Sequence, residues 1–260
     1  MHVDADGLIG TVGEAPYQDE FCPVLKAVRF RLVGDAGSLV HSIYVYGSVA
    51  AGCAIPGRSD LDLSLILNTP PSMNERALLE RIRQETESDH PVVSKIDFDI
   101  GSLGDFASPD AGMAWRYWLK HHCRCIEGED LASGIVPFAP SKALALAVND
   151  DFSTVLGQYV TLLREEPPAR TSQRLVREAS RKVVRATNIL RLETDRDWPA
   201  TLEDHAERFC RLFPEQAREM RYFLEQAHEP VAEPADFTRR LRLFKAWMET
   251  VIRNDTPSSQ

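Results

Sequence analysis

The sequence feature that most constrains the fold is a Gly-Ser turn followed at a short interval by two carboxylates. Gly47 and Ser48 end a β-branched and aromatic run. After eleven further residues, Asp60 and Asp62 open a second apolar run. Because side chains alternate between the two faces of a strand, Asp60 and Asp62 share one face, with Cα atoms roughly 6.6 Å apart. Carboxylates so placed can reach ions about 3.5–4 Å apart, as in two-metal phosphoryl-transfer sites. The pattern predicts a metal and nucleotide site.

A later strand supplies a third carboxylate. Residues 92–100 alternate, so that Phe98 and its apolar neighbours face one way while Asp97 and Asp99 face the other. Such alternation is also common on the solvent-facing side of an edge strand. Beside an Asp-x-Asp pair, however, a further carboxylate can ligate a metal or accept the proton of an attacking hydroxyl. We take Asp97 as the third carboxylate and Asp99 as the reserve.

Length, charge and cysteine content limit the class of protein. With 260 residues and 43% hydrophobic content, the chain can bury a sizeable core and favours two domains. It has no apolar run of membrane-spanning length and no signal-peptide pattern, so we expect a soluble, cytoplasmic protein without a membrane partner. Five cysteines without a paired framework fit a reducing compartment. A net charge of −9 argues against nucleic acid and favours a cationic or neutral second substrate.

The hydrophobic periodicity changes near residue 140. Before that point, helices are predicted over 19–35, 74–87 and 111–122, between the strands described above. After Pro137 and Pro140 the apolar spacing is helical only, over 141–164, 171–193, 201–227 and 235–253. Four or five helices of this kind pack as a bundle. We therefore place a sheet-containing domain at 1–140 and a helical domain at 141–260.

Taken together, Gly47-Ser48, Asp60-x-Asp62 and Asp97 resemble the motif of the nucleotidyltransferase superfamily typified by DNA polymerase β. With its helical second half, the chain is also loosely similar to the aminoglycoside adenylyltransferases that modify streptomycin and spectinomycin. The resemblance implies an α+β fold, in which a catalytic domain with a mixed β-sheet precedes an all-α bundle. It implies that Mg²⁺ is held by the three aspartates and that Gly47 and Ser48 contact ATP. AMP would then pass to a hydroxyl of a small aminoglycoside-type acceptor, with release of pyrophosphate.

Two features of the helical half bear on the substrates. Four arginines form a stripe along one predicted helix: Arg174, Arg177, Arg181 and Arg185. Such a stripe is ordinarily a solvated face, but Ser180-Arg181 resembles a Ser-Arg pair of the family whose arginine contacts nucleotide phosphates. The resemblance therefore makes Arg181 a nucleotide-binding candidate. Asp150 and Asp151 resemble an acidic segment of the family and are candidates for binding the acceptor, with an exposed helix turn as the alternative.

The chain also departs from that family. An acidic residue expected about ten positions before the Ser-Arg pair falls on Thr171-Ser172, and a lysine-bearing turn is replaced by Arg196-Asp197-Trp198-Pro199. The acceptor is therefore left open: a tRNA 3′ end or a protein side chain is one alternative. A nucleotide-binding regulatory or antitoxin module is another. Motifs of P-loop ATPases, dehydrogenases and serine esterases do not occur in the sequence.

Overall fold

The chain divides into two compact units, each with its own core. The computed structural model describes residues 3–109 and 112–255. One unit is formed by residues 9–138, and the other by residues 3–8 together with 139–255. The first unit contains the sheet, and the second is helical. Among the described helices, none combines the length and the apolar character that a bilayer span requires.

The first unit is built on a mixed sheet, as the family resemblance implies. Its described strands are β1 (Val40–Tyr46), β2 (Leu61–Leu67), β3 (Ile96–Ser102) and β4 (Arg124–Gly128), in the spatial order β3-β2-β1-β4. β1 is antiparallel to both β2 and β4, whereas β2 and β3 are parallel. Because parallel neighbours cannot be joined by a tight turn, β2 and β3 are connected by a helical crossover.

The helices of the first unit are α1 (Cys22–Ala36), α2 (Gly47–Ala50), α3 (Met73–Asp89), α4 (Leu103–Ala107) and α5 (Gly112–His122).

The crossover between β2 and β3 is α3, a well-capped helix preceded by an exposed turn. Thr69 and Pro70, between β2 and α3, are exposed. At the start of α3 the Ser72 amide donates to Glu75 Oε2 at 2.7 Å, and the Glu75 amide donates to Ser72 Oγ at 3.4 Å. This reciprocal pair satisfies backbone donors that the first turn of a helix leaves without partners.

The two faces of the sheet differ in character, and this difference places the polar groups. On one face, Val45, Leu63 and Leu65 belong to the core that also contains the apolar sides of α1 and α3. On the other face, Tyr44 and Ile66 pack with Leu119 of α5 and its aromatic neighbours. Asp62 and Asp97 alternate with the first set of residues, so they project from the second face.

Two boundaries in the first unit differ from the sequence-based prediction. The strand expected over 92–100 begins at Ile96. The residues before it pair with the loop that precedes β2: the Gly57 amide donates to Val92 O at 2.7 Å, and the Ser94 amide donates to Ser59 O at 3.0 Å. The helix predicted over 19–35 begins only at Cys22, after a 3-10 turn at Asp19–Phe21, and ends at Ala36, where Gly37 is the C-cap.

The second unit contains more helices than the apolar spacing indicates. They are α6 (Lys142–Asn149), α7 (Phe152–Arg164), α8 (Ala169–Ala186), α9 (Leu202–Leu212), α10 (Ala217–His228) and α11 (Pro234–Asp255). Two predicted stretches each divide into two helices, at Asp150-Asp151 and at Phe213-Pro214. Apolar residues keep their spacing across both breaks, so periodicity alone does not reveal them. Phe209, Phe223 and Phe237 lie at the centre of the bundle core.

Candidate active site

Three carboxylates meet at the beginning of β2 and β3. Asp62 is the second residue of β2, and its Cα partner in the parallel register is Asp97 of β3. Asp60 lies immediately before β2, where the Leu61 amide donates to the carbonyl of Lys95 at 2.9 Å. The two strands therefore hold Asp62 and Asp97 side by side on one face. The structure brings together the three aspartates that the sequence singles out.

Gly47 lies directly against the central carboxylate. It follows Tyr46, the β1 partner of Asp62, and opens the short helix α2 with a φ of +72°. A Cβ at this position would lie 2.5 Å from Asp62 Oδ2. Both the left-handed backbone and the close approach require glycine here. The turn predicted as a phosphate contact is therefore in direct contact with the carboxylate cluster, with Ser48 as the next residue.

Two residues just before β3 contact the cluster from one side. Lys95 Nζ lies 2.6 Å from Asp97 Oδ2 and 3.8 Å from Asp60 Oδ2. Ser94 Oγ donates a hydrogen bond to Asp60 Oδ1. Asp60 and Asp97 are thus joined through one ammonium group. Both contacts are charge-assisted, the stronger class of hydrogen bond.

The electrostatic environment is most unusual at Asp62. The pKa of the Asp62 carboxyl is raised to about 6, mainly by burial and also by the negative charges of Asp97 and Asp60, while the Lys95 ammonium acts in the opposite direction. Like charges held close together disfavour simultaneous ionisation. Titratable groups perturbed in this way by specific neighbours are typical of functional sites.

Asp99, the reserve for the third carboxylate, stands farther along the same face. It pairs in register with Ser64, the second residue after Asp62 along β2. Its side chain is exposed, although the surrounding protein displaces enough water to raise its pKa. Asp97, by contrast, pairs with Asp62 itself and shares Lys95 with Asp60. The geometry therefore favours Asp97 over Asp99 as the third member of the cluster.

An aromatic wall borders the acidic face. Trp118 of α5 donates from Nε1 to Ser64 Oγ at 2.9 Å and meets the ring of Tyr46 edge-on, with centroids 4.9 Å apart. Its other side stacks on His122 at 4.7 Å. Burial raises the pKa of Tyr46, and so does the negative charge of Asp62. Such a surface offers flat apolar area next to negative charge.

The loop between the Gly-Ser turn and the first aspartate is held by hydrogen bonds at its middle and near its end. At the middle of the loop, Gln18 Nε2 donates a hydrogen bond to Ala54 O at 3.0 Å, and Gln18 Oε1 accepts one from the Ala54 amide at 2.9 Å. Near its end, Ser59 Oγ accepts from the Ile55 amide at 2.9 Å. These bonds fix the path of the loop, and with it the position from which Asp60 enters the site.

The donor set fits magnesium in kind. Carboxylate oxygens are the ligands that Mg²⁺ prefers, and it is usually held by one or two of them together with substrate phosphates. Asp62 is the central donor, flanked by Asp60 and Asp97. Within residues 3–109 and 112–255, no three acidic, histidine or cysteine side chains are arranged to hold a metal by themselves. A lysine ammonium is instead in contact with two of the three carboxylates.

The remaining predicted site residues lie in the second unit. Arg181 is exposed on α8 with the other arginines of the stripe, of which Arg174 faces Glu178 at 3.9 Å. Asp150 is exposed between α6 and α7. Asp151 is also exposed but forms an ion pair with Lys182 Nζ at 2.6 Å. These residues are accessible, and one of the two candidate acceptor carboxylates already has a cationic partner.

The turn that departs from the family pattern has a structural role. Arg191, fully buried, donates to the carbonyls of Asp195 and Asp197 at 3.1 and 2.7 Å and lies over the ring of Trp198 at 4.9 Å. Arg208 of α9 forms ion pairs with the carboxylates of the same two aspartates. The polar groups of this turn are therefore engaged in holding the connection between α8 and α9.

Sequence reasoning missed Lys95 and Ser94 as members of the site. The alternation that assigned Asp97 to the acidic face also assigns Lys95 to it, since the two are two residues apart. That signal was present but was interpreted only as the charge pattern of a strand. Ser94 gave no signal, because it reaches Asp60 through a loop whose path depends on long-range pairing.

Comparison with known proteins identifies the kind of domain in which the candidate site lies. Residues 24–98 match the family model described as a nucleotidyltransferase domain, a segment that runs from α1 into β3 and contains the Gly-Ser turn and all three aspartates. The fold is similar to the crystal structure of the spectinomycin adenyltransferase AAD(9) from Enterococcus faecialis with ATP and spectinomycin. The TM-score is 0.55 at 11% sequence identity, covering 92% of this chain and 100% of that chain. No curated protein matches the sequence significantly.

These likenesses bear on three predictions. The family match confirms the predicted nucleotidyltransferase domain and the class of transferase that goes with it. The structural similarity confirms the predicted fold class, a mixed-sheet domain followed by helices, and a likeness in fold to an adenyltransferase. At 11% identity that similarity speaks for the fold alone.

Proposed function

We propose that this chain, which contains a nucleotidyltransferase domain, transfers AMP from ATP to a hydroxyl of a small, cationic molecule in a magnesium-dependent reaction. The observation that carries the proposal is the placement of Asp62 in register with Asp97 and close to Asp60, with Gly47 against its carboxylate. This arrangement joins the phosphate-approach turn and the acidic cluster in one place. In this proposal residues 1–140 form the catalytic domain, and residues 141–260 hold the substrates.

The carboxylates and the turn divide the work of the reaction. Asp60, Asp62 and Asp97 would hold Mg²⁺, which when bound neutralises the charge of the triphosphate. Gly47, without a side chain, leaves space for phosphate oxygens close to the backbone, and Ser48 offers an amide and a hydroxyl to them. Catalysis of this kind depends mainly on positioning and on charge neutralisation.

Proton transfer from the acceptor is assigned to a carboxylate of β3. Asp97 Oδ1 or Oδ2 would accept the proton of the attacking hydroxyl, and Asp99 is the alternative on the same face. Asp97→Asn should therefore lower the rate of transfer more than the affinity for ATP. An unchanged rate in that variant, with a reduced rate in Asp99→Asn, would move the base to Asp99.

Residues of the second unit complete the proposal. Arg181, exposed on α8, would contact the triphosphate, and Asp150 and Asp151 would attract the acceptor. Asp151 could do so only by exchanging its Lys182 partner for the acceptor's own cationic group. The net charge of −9 supports a cationic acceptor, and the AAD(9) structure contains spectinomycin together with ATP.

The test is a labelling assay with the purified protein. ATP labelled in its α-phosphate is incubated with magnesium and a panel of hydroxylated antibiotics, and label on the acceptor is measured together with pyrophosphate. Asp62→Asn is the matched control, because it removes the central charge while nearly preserving size. We expect transfer to at least one cationic acceptor and none in the variant. Label found on protein or RNA instead would show that the acceptor is a macromolecule. Equal turnover in Asp62→Asn would contradict the role of Asp62 in metal binding.

A further inference from the structure

Lys95 is placed so that its ammonium reaches the carboxylates that the proposed reaction needs for metal. Nζ contacts Asp97 Oδ2 at 2.6 Å and Asp60 Oδ2 at 3.8 Å. The backbone of Lys95 is fixed to β2, because its carbonyl accepts from the Leu61 amide at 2.9 Å. The side chain is 33% exposed, and the contacts of its ammonium with Asp60 and Asp97 are not part of the strand pairing.

The Lys95 ammonium and a divalent metal ion compete for the same carboxylate oxygens. Both are attracted to Asp60 and Asp97, and an ammonium near the cluster repels an incoming metal ion. Exposed lysine–carboxylate pairs contribute little to stability on their own. Here, however, one lysine serves two carboxylates that also raise the pKa of a third. Without the ammonium, three negative groups would face one another with less compensation.

Nucleotide binding changes this balance. A triphosphate brings several negative charges to the site, so an ammonium displaced from Asp60 and Asp97 gains new negative partners close by. Metal that arrives with nucleotide therefore displaces Lys95 at low cost, whereas metal that arrives alone displaces it without compensation. Lys95 therefore opposes the binding of metal together with nucleotide much less than the binding of metal alone.

We propose that Lys95 is a resident cation of the carboxylate cluster that makes metal binding conditional on nucleotide binding. This inference rests on the proposed function, because it assumes that Asp60, Asp62 and Asp97 are the metal ligands. It assigns Lys95 a positioning role: the lysine neutralises Asp60 and Asp97 in the free protein and yields its place when Mg²⁺ and ATP enter together. Removing its charge should uncouple the two binding events.

The experiment measures Mn²⁺ binding by titration calorimetry, first to the protein alone and then in the presence of a non-hydrolysable ATP analogue. Lys95→Met and Lys95→Gln should bind Mn²⁺ alone about fivefold or more tightly than the wild type, the change expected for loss of one partly exposed charge interaction. The gain should shrink when the analogue is present. Lys95→Arg, which retains the charge, and Lys26→Met, an exposed lysine on α1, should behave as the wild type.

A second readout is thermal stability, which in EDTA is independent of metal affinity. In EDTA, the Tm of Lys95→Met and Lys95→Gln should fall below that of the wild type, and added Mn²⁺ should raise it by more than in the wild type. Unchanged or weaker Mn²⁺ binding by both neutral variants would overturn the role proposed for Lys95. If Asp60→Asn nevertheless abolishes Mn²⁺ binding, the metal site itself would still stand. If neither the wild type nor the neutral variants bind Mn²⁺ with or without the analogue, the metal site fails and the role of Lys95 fails with it.

Discussion

Gly47 lies so close to Asp62 that a side chain on residue 47 would meet the carboxylate. A Cβ on residue 47 would lie 2.5 Å from Asp62 Oδ2, and the backbone there has a φ of +72°. Gly52, in the loop that follows, has nearly the same φ of +70° with nothing within 4 Å of a Cβ. The two glycines thus share one backbone requirement and differ in whether a carboxylate is in the way.

This difference gives a controlled prediction. Gly52→Ala should cost about 1–2 kcal/mol of stability, the usual cost of a left-handed backbone for an L-residue, and should leave transfer activity nearly unchanged. Gly47→Ala should cost at least as much and should also displace the Asp62 carboxylate, lowering activity about a hundredfold or more. Urea denaturation and the labelling assay measure the two effects. Equal losses of activity in both variants would mean that the close contact with Asp62 does not matter.

Asp62 also predicts how metal binding depends on pH. Its pKa is raised to about 6 in the metal-free protein, so the carboxyl takes up a proton as the pH falls through that value. A protonated carboxyl is a poor metal ligand. Mn²⁺ affinity should therefore be nearly constant above pH 7 and fall by up to about tenfold per pH unit below about 6. Affinity that stays flat between pH 7 and pH 5 would show that Asp62 is not a ligand.

At the residue scale, strand alternation was sufficient to predict the acidic face. It placed Asp62 and Asp97 on one face because a side-chain period of two depends only on the local backbone. The pairing of Asp151 with Lys182 could not be predicted in this way, since the two residues are 31 positions apart and meet only through helix packing. The perturbed pKa of Asp62 likewise depends on neighbours from another strand.

At the scale of elements, α5 ends in a buried histidine that ties together the two ends of the first unit. His121 is fully buried, with Nδ1 2.8 Å from Gly10 O and Nε2 accepting from the Phe138 amide at 3.0 Å. Because Nε2 accepts a hydrogen bond, the ring must be neutral. Burial lowers the pKa of His121, in keeping with this role.

The neutral ring predicts loss of stability in acid. The unfolded chain binds a proton near pH 6.5, while the folded protein resists it, so stability is full above about pH 6.5 and falls as the pH drops toward the lower folded pKa. Urea unfolding at pH 7.5 and 5.5 should show this loss in the wild type. In His121→Phe the dependence should be shallower, whereas His90→Gln, a control outside this contact, should retain it. An equally steep fall in His121→Phe would assign the effect to other groups.

The elements themselves could be predicted where periodicity was long and uninterrupted. The helix over 74–87 and the strand pair that bears the aspartates match α3, β2 and β3 to within a few residues. The breaks at Asp150-Asp151 and Phe213-Pro214 were missed because apolar residues continue in phase across them. The late start of β3 was missed because residues 92–95 pair with a loop, which no local pattern encodes.

At the scale of the whole molecule, the two units have apolar cores with no residue in common among those described. We therefore expect a destabilising substitution in one unit to affect the stability of that unit and not of the other. His121→Phe disturbs the first unit, whereas Arg208→Met removes the cation that joins Asp195 and Asp197 in the second. Because Arg208 is buried while Asp197 is half-exposed, we expect a cost of about 2 kcal/mol.

Native-state hydrogen exchange tests this independence. Arg208→Met should lower protection in α8, α9 and α10 and leave β1 and β2 nearly unchanged, while His121→Phe should do the reverse. Arg211→Met, an exposed arginine of α9, serves as the control for Arg208. Loss of protection throughout the chain in either variant would indicate that the molecule opens as one cooperative body.

The fold class could be predicted because Gly47-Ser48, Asp60-x-Asp62 and Asp97, taken in order, resemble the motif of a known superfamily. The acceptor could not be predicted in this way, since its recognition depends on side chains contributed by distant segments. The turn at 196–199, where the chain departs from the family pattern, illustrates the point: Asp197 and the preceding Asp195 are engaged by Arg191 and Arg208, which no local pattern indicates.

The alignment of the catalytic aspartates does not depend on the length of the crossover between β2 and β3. Asp62 and Asp97 are set side by side by the strands, while Thr69 and Pro70 form an exposed turn before α3. A foreign domain spliced into that turn would extend the connection without altering the alignment of the strands. The protein could therefore be tethered to a surface or fused to a fluorescent reporter at this point while its catalytic face is left intact.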